Sequence, residues 1–288
     1  MGRSLKTSLM NERCLAAPGV YDAFTALAIE KLGFQAAYLG GNALGLHLGV
    51  GQPFVTVTET AAVVQQIHRV ASLPLIVDAG AGFGDAAHAA LAMRALANAG
   101  AAALHIDDQI YPKRAHYHRG KGRLAESGVV CGKLSAMAAA RGDHDTMLIA
   151  RTDVLRVTGS IDDTIARCRE YLAAGADALM VLDLGPDCAA SFRAAFPATP
   201  LAWIGGIVEP VPTQKELDAA GFAIATYPFN TVGAMSEAVL NTWRGFAEAG
   251  RPAKFERPHS AVLADALAQV DLEASLAIER KTTEAGDK

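Results

Sequence analysis

The stretch AGADALMVLD (Ala174–Asp183) decides the fold. A helical pattern ends at Gly175, and a run of apolar residues follows almost at once, with an acid at its far end. The same arrangement recurs in GFQAAYLG (Gly33–Gly40), AGAAALHID (Ala99–Asp107) and AGFAIATYP (Ala220–Pro228). In each, a glycine can take the left-handed conformation that closes a helix before the chain enters a strand. The runs are continuously apolar rather than alternating, as expected of parallel strands covered on both faces.

Four more short apolar runs lie between these: CLAAP (Cys14–Pro18), PLIVDA (Pro74–Ala79), TMLIAR (Thr146–Arg151) and PLAWIG (Pro200–Gly205). Helical patterns fill the gaps at Tyr21–Leu32, Val57–Val70, Asp85–Asn98, Ser127–Ala140, Ser160–Ala173 and Thr231–Ala249, and one more helix is expected over Ala261–Glu279. Eight strands alternating with helices predict an α/β fold closed as a (β/α)8 barrel of the TIM type. No dinucleotide-type glycine fingerprint follows the first strand, which argues against an open doubly wound sheet. The 288 residues suit one barrel domain spanning 1–288, with a core of about 14–250 and a helical extension over 251–288.

Composition narrows the class further. Apolar residues make up 51% of the chain and charged residues only 19%, enough for a large core and far from a disordered composition. A formal charge of −4 supplies no electrostatic reason to expect a nucleic acid or an anionic membrane as partner. No run approaches the roughly 18 apolar residues that span a bilayer. Met1–Glu12 lacks the apolar centre of a signal peptide. Cys14, Cys131, Cys168 and Cys188 are scattered without metal-binding spacing and read as thiols of a reducing compartment, so a cytoplasmic protein is expected.

Barrel enzymes place their chemistry where strands run into the following loops. Here strand three ends at Asp78, strand four at His105, Asp107, Asp108 and Gln109, strand five at Arg151, Thr152 and Asp153, and strand six at Asp183. Taken singly, such acids serve equally well as helix caps or loop ion pairs. Asp78 and Asp107 should stand at one height on neighbouring strands, and two converging carboxylates call for a cation between them. Oxygen ligands with room for water suit Mg2+ or Mn2+. Arg151, one strand further on, would face the same opening and clamp a substrate carboxylate. The loop YPKRAHYHRGKG (Tyr111–Gly122) carries Lys113, Arg114, His116 and His118 just past the acids, where a mobile lid could bring cations over an anionic substrate.

Set in this order and spacing, YLGGN (Tyr38–Asn42), VDAGAGFGD (Val77–Asp85), AGAAALHIDDQIYPKR (Ala99–Arg114), IARTD (Ile149–Asp153), AGADAL (Ala174–Leu179) and ATYPFN (Ala225–Asn230) resemble the phosphoenolpyruvate mutase/isocitrate lyase superfamily over about Leu15 to Gly250. The resemblance implies a homo-oligomer, commonly a tetramer that exchanges its last helix between subunits. It also implies a Mg2+ site and a small-molecule 2-oxo or 2-hydroxy carboxylate substrate. Carried over by position, Asp78 and Asp107 match metal-site acids and Arg151 matches the substrate-carboxylate arginine. Gly40 and Gly41 match backbone donors to the substrate, with Tyr38, Asn42 and His105 expected beside them.

The chain also departs from that pattern. Gly80 stands where a second strand-three acid is usual, and Asp107 where a glutamate is. Ala115 takes the place of the lyase-branch cysteine that moves a proton, so His116, His118 or Tyr117 is expected to replace it. Gln52 and Leu182 stand at usual acid positions, and Trp203, in place of an asparagine, is expected to crowd a bulky substrate. The expected activity is a Mg2+-dependent carbon–carbon lyase of a small di- or tricarboxylate. The alternatives are a hydrolase or decarboxylase of an oxaloacetate- or phosphonopyruvate-like acid, and a non-catalytic carboxylate-binding barrel.

Overall fold

The computed structural model describes residues 4–11, 14–113, 122–254 and 256–282. Eight parallel strands close into a barrel in chain order: β1 (Leu15–Val20), β2 (Ala37–Leu39), β3 (Leu75–Asp78), β4 (Ala103–Asp107), β5 (Met147–Thr152), β6 (Ala178–Val181), β7 (Leu201–Ile204) and β8 (Ile224–Tyr227). Closure is made by β1 pairing with β8, Leu15 opposite Ile224.

Strand alternation sorts the apolar residues into two layers. Leu15, Ala17, Tyr38, Ile76, Ala103, Met147, Ile149, Met180, Ala202 and Ile224 fill the barrel interior. Their neighbours Leu39, Val77, Leu104, Ile106, Leu148 and Leu179 point outward, against Val64, Ile67, Met93, Leu96, Leu134 and Phe192 of the surrounding helices. Leu5, from a short helix at Leu5–Asn11, belongs to the interior cluster and is 1% exposed. Ser4 and Lys6 hold Asp145 in the loop that enters β5, so this helix closes the end where strands begin.

The helices over Val57–Val70 and Ser127–Ala140 have the expected bounds, and the first is fixed by a capping box between Thr56 and Glu59. Gly33, Gly100, Gly175 and Gly221, the expected helix closers, all have positive φ. The short helices Gly41–His47, Val154–Thr158, Ala189–Ala195 and Gln214–Ala219 are too brief to show a period in sequence. The single helix expected over Ala261–Glu279 is two, His259–Gln269 and Leu272–Thr282, because Asp271 turns to φ +54 between them.

By contact the chain forms two compact units, Met1–Val232, which holds the barrel, and Gly233–Lys288. In the second, Gly245 lies against Ala253, and the Trp243 and Phe246 rings meet at 5.9 Å. Among the described residues no helix is long and apolar enough to cross a membrane.

Gly100 shows how tightly the helix closures are set. It has φ +108, and a Cβ there would clash with the His68 ring. Gly100→Ala is therefore expected to cost roughly 1–2 kcal/mol or more, through left-handed strain plus that clash. Thermal unfolding should show a Tm several degrees lower; an unchanged Tm would mean that the closure tolerates a side chain.

Candidate functional site

The strand register sets the site. Asp78 pairs with His105 across β3 and β4, and Asp107 with Arg151 across β4 and β5. All four occupy positions in phase with Ile76, Ala103 and Ile149, whose side chains fill the barrel, so they stand at its C-terminal mouth. All are nearly buried, from 0% exposed for His105 to 7% for Asp78.

Every Asp78 oxygen is engaged. Oδ2 accepts from the Gly41 amide at 3.1 Å and from Gln52 Nε2 at 3.1 Å, and Oδ1 from the Gly80 amide at 2.8 Å. Burial alone would raise the Asp78 pKa, but the fields of His105, Lys113 and Arg151 and the Gly80 amide outweigh it and hold the pKa at about 2. The Gly41 amide, expected to face the substrate, is thus given to a carboxylate. A Cβ at Gly41 would come 2.6 Å from Gln52 Nε2 and 3.0 Å from Asp78 Oδ2, so only hydrogen fits beside that acid. Gly40 caps the short helix that Gly41 begins, and Asn42 follows, half-buried.

His105 shares a 2.8 Å hydrogen bond with the Tyr38 hydroxyl, their rings stacked at 5.7 Å. Its Nε2 lies 3.8 Å from Asp78 Oδ1, and its Nδ1 has no hydrogen-bond partner among the described residues. Burial lowers the His105 pKa, with Asp78 and Asp107 acting against that shift and Arg151 and Lys113 with it.

Asp107 Oδ2 forms an ion pair with Lys113 Nζ, and its Oδ1 accepts from the Gln109 amide. Arg151 donates through Nε and Nη2 to the two oxygens of Asp153, at 3.0 and 3.3 Å, and Gln109 Nε2 donates to Asp153 Oδ2. Burial opposes the Asp153 charge, but Arg151 overrides it and keeps the carboxyl below its ordinary pKa.

Other residues grouped with the mouth in the sequence face elsewhere. Asp108 turns outward, accepting from Thr152 Oγ1, the Asp153 amide, Tyr171 and Arg167, where it ties the loops after β4 and β5 to the helix Ile161–Ala173. Asp183, at φ +66, is exposed and forks onto Arg156. Trp203, expected to crowd the substrate, lies in the outer layer with Leu201 and Ala225, edge-on to Tyr227 at 5.4 Å. The inward positions of β7 are Ala202 and Ile204, because the side-chain period is two. Arg114, His116 and His118, with Ala115 and Tyr117, lie outside the described residues.

Two supports escaped the sequence reading. Gln52 was visible only as a departure from an acid, yet its amide fixes Asp78. Lys133, buried on the helix Ser127–Ala140, donates to the Ala81 carbonyl at 2.8 Å and pins the turn after β3. Nothing short of the packed helix would reveal that contact.

Asp78 and Asp107 offer hard oxygen donors, and among the described residues no three His, Cys, Asp or Glu side chains form a metal-holding group. The two carboxylates could hold a cation such as Mg2+, which takes one or two carboxylates and completes its shell with water and substrate. Arg151 and Lys113 add fixed positive charge beside them. The arrangement can bind a small polyanion and stabilise negative charge developing on it.

The chain matches the family described as phosphoenolpyruvate phosphomutase over residues 5–247. It is 32% identical to 2,3-dimethylmalate lyase of Eubacterium barkeri, covering 83% of each chain. It is 32% identical to oxaloacetate decarboxylase of Bradyrhizobium sp. (strain BTAi1), over 90% of this chain and 89% of that one. Among solved structures, a crystal structure of 2,3-dimethylmalate lyase, a PEP mutase/isocitrate lyase superfamily member, superposes with a TM-score of 0.85 at 26% identity, covering 97% of this chain and 94% of that one.

The Arg151–Asp153 pair is buried, and removing Asp153 takes a counter-charge from Arg151 in a dry place. Asp153→Ala should lower stability by roughly 3–5 kcal/mol in urea unfolding; a loss under about 1 kcal/mol would mean that Arg151 finds another partner in the mouth.

Proposed function

Because the chain belongs to the phosphoenolpyruvate mutase/isocitrate lyase superfamily, we propose that it is a carbon–carbon lyase that cleaves a small 2-hydroxy or 2-oxo di- or tricarboxylate through an enolate. The observation that carries this reading is the meeting of Asp78, Asp107, Lys113 and Arg151 at one barrel mouth.

For a 2-hydroxy acid, cleavage beside the carboxylate-bearing carbon begins when the 2-hydroxyl gives its proton to one of His116 and His118 acting as base. The carbon–carbon bond then breaks as a carbonyl forms, and the electron pair passes to the departing fragment as an enolate that takes up a proton. Arg151, with its guanidinium plane set by Asp153, holds a substrate carboxylate. Tyr38, Gly40, Gly41, Asn42 and His105 would complete the substrate site. Asp78 and Asp107 would hold Mg2+ or Mn2+, which when bound supplies positive charge to a developing oxyanion. Lys113 and the lid residues Arg114, His116 and His118 screen the anion, and one of the two histidines delivers the proton that Ala115 cannot.

A second reading, decarboxylation or hydrolysis of an oxaloacetate-like acid, draws on the likeness to oxaloacetate decarboxylase and on Ala115, because loss of carbon dioxide needs no cysteine acid. On either reading we place the protein in the cytoplasm as a homo-oligomer, dimer or tetramer, with 1–288 as one barrel domain and 251–288 as its helical extension. The exposed Leu240, Trp243, Leu263 and Ile278 favour assembly.

Product formation from 2,3-dimethylmalate and from oxaloacetate separates the two readings. Asp78→Asn and Arg151→Met should each lower kcat/KM by roughly 100-fold or more, and chelation of divalent cations should abolish turnover. Oxalate binding without turnover of any such acid would leave only a carboxylate-binding barrel. His116→Gln and His118→Gln, made singly, should show which one lowers kcat while leaving oxalate affinity unchanged.

A further inference from the structure

Asp107 and Lys113 form a charge pair whose side chains are 0% and 5% exposed. The ammonium sits on Oδ2, and the other oxygen takes the Gln109 amide. Asp107 therefore carries a compensating positive charge of its own before any cation arrives. Asp78 is provided for differently, by the Gly41 and Gly80 amides and Gln52, which are neutral and leave its net charge in place. Arg151 donates to both oxygens of Asp153. Among the described residues, Lys113 is the cation set directly on a metal-site acid.

A divalent cation binds bare carboxylate oxygens, and a bonded ammonium occupies the same electrostatic position. Both cannot hold Asp107 Oδ2 at full strength, because two positive charges brought to one buried oxygen repel each other in a weakly screened site. Resting on the reading of Asp78 and Asp107 as the cation's ligands, we propose that Lys113 is an internal counterion of Asp107 that competes with the divalent cation for it. Cation uptake moves the ammonium off Oδ2. The site is thereby electrically balanced when empty, and its affinity for metal is held below what the two carboxylates would otherwise provide. Taking away the Lys113 charge leaves buried Asp107 without its directly bonded counter-charge, a state that a divalent cation relieves.

The test is Mn2+ binding to the substrate-free protein, read by titration calorimetry or by the paramagnetic resonance signal of free Mn2+. Lys113→Met should bind Mn2+ on the order of tenfold more tightly than the native chain, whereas Lys113→Arg, which keeps the charge, should stay near native. Lys113→Gln carries the same expectation as the methionine variant and serves if the latter fails to fold, as judged from metal-free melting. Equal or weaker Mn2+ binding by the neutral variants overturns the competition and leaves the metal site standing. Absence of Mn2+ binding in native and variant chains alike overturns both the competition and the assignment of Asp78 and Asp107 as ligands.

Discussion

Parallel pairing of β3, β4 and β5 is the constraint from which the rest of the site follows. With Asp78 level with His105 and Asp107 level with Arg151, the two-residue period of a strand sends all four side chains into the barrel. A slip of one residue would turn them toward the helices and bring Val77, Ile106 and Ala150 into the mouth instead. The outward layer resists that slip, since those residues pack against Met93, Leu96 and Leu134. The apolar packing outside the barrel thus holds the charged groups inside it.

Charge brought into so dry a place must be balanced locally, and the site does this with a different device for each acid. Asp78 is held by amides and Gln52, Asp107 by an ammonium, Asp153 by a guanidinium, and Asp108 by hydroxyls, an amide and Arg167 on the far side of the strand. Neutral donors leave a carboxylate's charge available to a ligand, whereas cations cancel it. Asp153 and Asp108 tie the frame together, whereas Asp78 and Asp107 face the mouth.

The chain is equally similar, at 32% identity, to a lyase and to a decarboxylase of the superfamily to which it belongs. Trp203 lies in the outer layer, away from the polar strand ends.

The amino-acid sequence by itself determined the eight strands, most of the helices and the barrel, because each strand is continuously apolar and each closing glycine is followed by one. It also determined which strand ends are polar, hence Asp78, Asp107 and Arg151. Tertiary structure alone decided what each polar residue faces. Asp107, Asp108 and Gln109 are adjacent in the chain yet divide between mouth and outer layer, and Lys133 reaches Ala81 from a helix 52 residues away. Adjacent residues on a strand point to opposite faces, and long side chains meet partners that only packing brings near; a linear pattern records the first fact as a period and the second not at all.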